Sequence, residues 1–459
     1  MNVVLRESWT LAIEALSWME IRRLSEPLAL SRTAKQLGIT DSNALRLAHH
    51  LVYETARRQN RIDKFIGTVV GPDVLDGCSM GVQQFLRLYV YQTRAARGWD
   101  TGDVEEAEAI VKLARSILGW ETVRRVESFF GLLLTQSDVV VFEGASDEER
   151  VGLRTFHPRW YVDYCFRHFG RGFALDVLEA DLRPPPLYVR LNTLKAVEDA
   201  ILESLAGEGV KVEKAERLKH TYRVCSTKKP LVSLKSYREG FFFIQDLASC
   251  FAGEVAGPSE GMVVLDVCAA PGAKTTYLAQ LMENKGRILS VDFSRRRMSV
   301  WKNEIERMGV KIAEPVVADA RNPLPTTVEA DVVILDPPCT STGTFGKLPG
   351  AKWRLTAHSA ERMAEIQWQL LSKCVAYVKP GGTLVYSTCS TTVEENEMLV
   401  EKLLKWHADF SLVEIEPTMG LHGLRGLEKC RRLYPHIDNC NGFFISKLTR
   451  TRMDQAGDG

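Results

Sequence analysis

The chain has 459 residues, 45% of them apolar and 25% charged, with a formal net charge of +1. That balance excludes a disordered or low-complexity chain and leaves room for about two to four globular domains; the net charge argues neither for nor against a nucleic-acid partner. No apolar run approaches the roughly 18 residues of a membrane span, no leader pattern opens the chain, and the 10 scattered cysteines lack paired C-x-x-C spacing. The expectation is a cytoplasmic protein with reduced thiols, no metal site and no membrane partner.

In chain order, every convincing period from residue 1 to about 140 is helical. Leu11, Ala15, Trp18 and Arg22 form one turn-spaced series. Thr40-Asp41 is placed to cap a long helix through Leu45, Leu47, Leu51 and Val52 to Ile66, and further helices fit 80–96, 104–118 and 121–134. An all-α domain over 1–142 is expected. The acidic, small-residue run 142–150 reads as a linker.

Residues 151–240 read as a small α+β, ferredoxin-like module. His157-Pro158-Arg159-Trp160 opens a helix through Tyr164 and Phe169. A second helix spans 173–180 and stops at Pro184-Pro185-Pro186. A strand at 187–191, a helix at 197–208 and strands at 210–213 and 221–225 follow. Lys211, Lys214, Arg217, Lys219, Arg223, Lys228, Lys229, Lys235 and Arg238 face only Glu213, Glu216 and Glu239, with Tyr222 and Tyr237 among them. Charge with aromatics suits an RNA surface; a solvated face of a small domain fits the same charges equally well.

From residue 241 to 450 strands and helices alternate. Strands fit 263–267, 287–291, 315–318, 331–335, 383–387, 411–415 and 443–448; helices fit 275–282, 294–308, 359–378 and 394–407. This predicts an α/β fold, a seven-stranded, mostly parallel, Rossmann-like sheet, with 451–459 as a tail. Ligands of such sheets sit at the carboxyl ends of the strands. The first strand ends at Asp266 and the small-residue loop Cys268-Ala269-Ala270-Pro271-Gly272-Ala273-Lys274, which is neither a dinucleotide fingerprint nor a P-loop. The second ends at Asp292, where an acid grips ribose hydroxyls, although a helix cap would use the same residue. The third ends at Asp319, placed to accept a hydrogen bond from an adenine-type amine. The fourth ends at Asp336-Pro337-Pro338-Cys339 and the fifth at Ser387-Thr388-Cys389-Ser390. The acids suit an adenosine-bearing ligand without a pyrophosphate. A lone cysteine is usually a buried small hydrophobe, but two in polar loops at neighbouring strand ends suit nucleophilic chemistry on an electron-poor ring.

These motifs together resemble the Sun-type RNA cytosine-5 methyltransferases, which use S-adenosylmethionine. Gln245-Asp246-Leu247-Ala248-Ser249, Lys352-Trp353-Arg354 and Asn441-Gly442-Phe443-Phe444 match that family as well, and Arg190–Lys195 resembles its RNA-binding module. The match spans about 155–448. The helical first domain resembles, more weakly, the NusB-like domain of the bacterial ribosomal RNA member. The resemblance implies a class I methyltransferase domain over 241–450. It implies that Cys268–Lys274 surround the methionine part of the cofactor. Asp292 would hold the ribose with Arg297 nearby, and Asp319 would read the adenine. Asp336 would contact the target cytosine and the cofactor, Cys389 would attack carbon 6, and Cys339 would help to release the product. The partner implied is rRNA or tRNA, for a monomeric enzyme. Lys274 is expected to face the cofactor or an RNA phosphate, and Lys347, Lys352 and Arg354 to touch RNA backbone.

Rival readings differ in their cysteines. An amino-directed methyltransferase shares Asp-Pro-Pro but places an aromatic residue where Cys339 stands. A DNA cytosine methyltransferase would use the fourth-strand cysteine and leave Cys389 idle. A non-catalytic RNA-binding ribosome-assembly factor that keeps the fold would need neither.

Overall fold

The computed structural model describes residues 3–99 and 102–451, so the expected tail lies, beyond Thr451, outside the described residues. The chain forms two compact units. One holds the described residues up to Arg183 together with Phe345–Ala357; the other holds Pro184–Thr344 and the chain from His358 onward.

The first unit is helical. Helices Val3–Arg22, Ser42–Arg57, Gln59–Val70 and Met80–Thr93 surround a core that includes Trp9, Leu51, Phe65, Phe85 and Tyr89. Asp41 caps the Ser42 helix as expected, accepting from the N–H groups of Asn43 and Ala44. The long helix drawn to Ile66 is instead two, broken at Arg58, whose φ of −103° and ψ of 12° leave the helical range. The segment 121–134 is also divided, into Trp120–Glu127 and Phe130–Thr135. The linker at 142–150 is corrected as well: Asp147–Thr155 is a helix with a capping box of Ser146 and Glu149. Its acids occupy the first turn, where they complement the helix dipole.

Phe345–Ala357 completes this unit. Phe345 packs edge-on against Tyr161 at 5.0 Å, and Trp353 Nε1 donates to Ala56 O at 2.6 Å. Glu26 Oε1 accepts from Gly350 N at 2.6 Å. Lys352 is fully buried here, which overturns the expectation that it touches RNA backbone; Lys347 alone of the three cations is exposed. The helices at 159–169 and 171–180, read from sequence as part of the 151–240 module, also cluster with this unit.

The second unit opens with a four-stranded antiparallel sheet in the order β2-β3-β1-β4. Its strands are β1 (Tyr188–Leu191), β2 (Val210–Lys214), β3 (Thr221–Thr227) and β4 (Phe242–Ile244). Three of these match the sequence reading; β4, three residues long, was not anticipated. All nine cations of the basic stretch are exposed. Its aromatics are not, which removes the aromatic half of the expected RNA surface. Tyr222 is buried with its hydroxyl on Glu198 at 3.1 Å, and Tyr237 lies under the Arg307 guanidinium at 4.1 Å.

The large sheet contains β5 (Val263–Val267), β6 (Arg287–Asp292), β7 (Ala313–Val317), β8 (Ala330–Leu335), β9 (Val378–Thr388), β10 (Phe410–Leu412), β11 (Leu421–His422), β12 (Arg431–Leu433) and β13 (Phe443–Arg450). Its order is β11-β12-β13-β9-β8-β5-β6-β7, with β10 on β13. β7, β6, β5, β8 and β9 are parallel; β13 enters antiparallel against β9. The seven expected strands are present. The short β11 and β12 were missed, because Arg431-Arg432-Leu433 carries no strand-like alternation. β5 lies at the centre, and its order reverses between β6 and β8, which opens a crevice at the carboxyl ends.

Candidate active site

Five strand ends converge on that crevice. β5 delivers Asp266, fully buried, with its Oδ2 accepting from Thr275 Oγ1 at 2.5 Å. Burial pushes the Asp266 carboxyl up to about 7. Gly272 then turns at φ 110° into the helix Ala273–Leu281. A side chain there would press on Trp301 Cδ1 at 3.2 Å and would resist the left-handed backbone.

Lys274, in the first turn of that helix, does not serve the helix dipole. Its ammonium meets Asp336 Oδ2 in a short ion pair and lies 3.5 Å from Ser249 Oγ. Burial alone would pull Lys274 down, but the Asp336 and Asp266 carboxylates carry it above the ordinary lysine value.

β6 ends at Asp292. The helix cap is Ser294, whose Oγ accepts from Arg297 N at 3.3 Å, so Asp292 is left for other work. Its Oδ1 accepts from Ser294 N at 3.0 Å. Its buried Oδ2 lies 3.1 Å from Arg297 Nη1, without a hydrogen bond of good geometry. Arg297 also donates to Ala270 O. Asp292, Cys268, Phe293, Asp319, Pro338, Ile366 and Leu370 border a cavity of about 260 Å³. Asp319 differs from expectation in one respect: Arg321 grips its carboxylate through Nε and Nη2 at 3.0 and 2.6 Å, and that bond holds it below its usual range. Phe293, two-thirds exposed at the rim, escaped the sequence reading.

β8 and β9 carry the two thiols. Cys339 Sγ and Cys389 Sγ lie 3.2 Å apart, and Ser341 Oγ is 3.4 Å from Cys389. The hydrogen bond from Cys339, with the Ser341 hydroxyl and the Lys274 charge, holds Cys389 below the ordinary thiol value. Sharing that bond, together with burial, drives Cys339 well above it. The other loop cysteine, Cys268, is pushed up by burial and sits on the cavity wall.

Other motif residues position the site without facing it. Arg190 is fully buried and donates to Gln245 Oε1 at 2.8 Å, to Thr276 Oγ1 at 2.7 Å and to Gln280 Oε1. Asn192 Nδ2 donates to Gly240 O and Met308 O at 2.8 and 2.9 Å. These bonds fasten the small sheet to the helices that follow β5 and β6. Gly343 N donates to Cys389 O at 3.0 Å and Gly442 N to Gly343 O at 2.7 Å, an approach that leaves no room for a side chain on Gly343.

The sequence of this crevice matches the family model for the 16S rRNA methyltransferases RsmB/F over residues 254–449, and the family's ferredoxin-like domain over 157–225. The chain belongs to the RsmB/F methyltransferase family. It is 29% identical over 455 residues to the probable ribosomal RNA small subunit methyltransferase B of Bacillus subtilis, covering 96% of this chain and 98% of that one. It is 38% identical over 223 residues to the tRNA (cytosine(72)-C(5))-methyltransferase of Pyrococcus horikoshii, covering 48% and 56%. The crystal structure of PH0851 superposes with a TM-score of 0.80 at 30% identity, covering 96% of this chain and 98% of that one. This RsmB/F member is therefore an S-adenosylmethionine-dependent methyltransferase acting on RNA. The cofactor fits the crevice. The buried Asp292 Oδ2 has acceptor capacity left for ribose hydroxyls, and the cavity beside it is apolar on the β8 side through Pro338, Ile366 and Leu370. No described helix is long and apolar enough to cross a membrane.

Proposed function

We propose that this chain methylates carbon 5 of a cytosine in ribosomal RNA through a covalent adduct on Cys389, working in the cytoplasm. The observation that carries the reading is the 3.2 Å thiol pair, with Cys389 lowered and Cys339 raised, beside the Lys274–Asp336 pair. Asp292 and Arg297 hold the ribose of the cofactor, Asp319 and Phe293 the adenine, and the Cys268–Lys274 loop with Asp336 the methionine end. The bound cofactor supplies an electrophilic methyl group.

The residues do the rest. The Cys389 thiolate adds to carbon 6 of a base extruded from its stack, and the ring electrons move toward nitrogen 3 and carbon 5. The Lys274 ammonium, held in place by Asp336, meets the negative charge that develops at nitrogen 3. Carbon 5, now enamine-like, takes the methyl group. A base then removes the carbon-5 proton, the electrons of that bond restore the double bond, and Cys389 leaves as a thiolate. Cys339, with its raised proton affinity and its place against Cys389, assists this release.

Transfer of a labelled methyl group to RNA tests the assignment. Cys389→Ala should lower transfer more than about 10³-fold, and Cys339→Ala should accumulate a protein–RNA adduct visible on a denaturing gel. Normal turnover by Cys389→Ala would refute the reading, and an adduct on the Cys389 variant would move the nucleophile to Cys339. Bisulfite sequencing of RNA from a deletion strain separates rRNA from tRNA.

A further inference from the structure

Behind the two thiols, away from the cavity, lies a carboxyl group that the proposed chemistry does not use. Glu395 is fully buried. Its Oε2 accepts from Thr340 N at 2.8 Å and Gln367 Nε2 at 2.8 Å. Its Oε1 accepts from Ser390 Oγ at 2.6 Å, from Thr392 Oγ1 at 2.8 Å and from Thr340 Oγ1. Thr340 is the residue after Cys339 and Ser390 the residue after Cys389. One side chain therefore takes bonds from both thiol-bearing loops at once.

The surrounding bonds hold Glu395 in place. Tyr386, on β9, donates its hydroxyl to Glu395 O at 2.6 Å, and Gln367 also donates to Pro338 O at 3.0 Å. A fully desolvated acceptor with this many donors is costly to leave unsatisfied, so the donors, and the loops attached to them, are held to it.

The geometry points to Glu395 as a positioning residue that sets the distance between Cys339 and Cys389, and so keeps the hydrogen bond between the two thiols. The inference rests on the assignment of Cys389 as nucleophile. Glu395 touches neither sulfur; it acts through Thr340 and Ser390. Its loss should alter how the pair shares a proton before it alters what the enzyme binds.

Three variants test this in the full-length protein: Glu395→Gln, and the milder Thr340→Val and Ser390→Ala, each of which removes one hydroxyl of one loop. The readout is the pH profile of Cys389 alkylation by iodoacetamide, followed by mass spectrometry without RNA. Glu395→Gln should lower the alkylation rate about tenfold on the rising limb of the profile, because less thiolate is present, and Thr340→Val and Ser390→Ala by less. Methyl-transfer kcat should fall about 10- to 100-fold while KM for RNA stays within about twofold. In a Cys339→Ala background, where the thiol–thiol bond is already absent, Glu395→Gln should change the profile by less than about twofold. Should Glu395→Gln fail to fold, the two milder variants carry the same comparison. Unchanged profiles in the folded variants, or full additivity with Cys339→Ala, would overturn the clamp. Turnover by Cys389→Ala would instead refute the nucleophile, while the alkylation profiles still decide the clamp.

Discussion

Lys274 and Lys352 are both buried, but only Lys274 has a counter-ion. Lys274 closes on Asp336 and keeps its charge above the ordinary lysine value. Lys352, among Arg57, Asp181, His157 and Glu26, has no hydrogen-bond partner for Nζ, which lies 5.2 Å from the Trp353 ring. Burial, only partly offset by Asp181 and Glu26, drags it down to about 7. Burial by itself thus does not settle whether a lysine is charged; a carboxylate at contact distance does. A carboxylate in contact does not suffice for every buried cation, as His157 and Arg432 show. His157, 3.3 Å from Asp181 yet fully enclosed, is lowered to about 4. Arg432, equally enclosed, is held fully charged by Glu397.

The largest effect expected from this contrast is at Arg432. Its Nε and Nη2 donate to Glu397 at 2.6 and 2.5 Å, with both side chains almost wholly buried. Arg432→Met leaves a stranded carboxylate and should cost about 3–5 kcal/mol in urea unfolding; a loss under 1 kcal/mol would show that the pair is worth little in place. Next comes Lys274→Met. Asp336 is about a third exposed, so the stability loss should be only about 1–2 kcal/mol. Single-turnover methyl transfer should nonetheless fall about 10²- to 10³-fold, because the charge facing the base is removed. Equal effects on folding and on transfer would make Lys274 structural only.

Lys352→Met should run the other way and gain about 1–2 kcal/mol at pH 6, with methyl transfer unchanged. The pH dependence follows from the direction of the shift. Unfolded, Lys352 titrates near 10.5; folded, near 7. Between those values the unfolded chain holds the extra proton, so this group makes stability rise with pH across that window, by at most about 1.4 kcal/mol per pH unit. Its destabilising effect is complete below pH 7. The variant should lose that rise, and matching slopes in variant and parent from pH 7 to 9 would show Lys352 charged in the fold. Asp266, raised from 3.8 to about 7, has the opposite sign. Its contribution is fully present below about pH 4 and is lost as pH climbs through 7, and Asp266→Asn should flatten that fall.

Much of the crevice was legible in the sequence because a parallel sheet imposes position. An acid or cysteine that follows an apolar run of four to six residues must stand at a strand end, and strand ends meet at the switch point. Asp266, Asp292, Asp336, Cys339 and Cys389 were readable for that reason. Glu395, Gln367 and Phe293 were not: they sit in loops and on a helix where no periodicity announces a neighbour across the fold. Nor was the state of any lysine, since the charges of 345–357 look solvated in sequence and meet their surroundings only when the helices enclose them.

The sequence alone therefore determined the class of the sheet, the order of its strand ends and the residue types that face the cofactor cavity, because each depends on local pattern. Tertiary structure alone decided that two thiols 50 residues apart lie 3.2 Å from each other, that Lys274 is held above the ordinary lysine value and that Lys352 is drawn down to about 7. Those outcomes depend on which groups exclude water and which carboxylate comes within reach, and neither is a property of neighbouring residues in the chain.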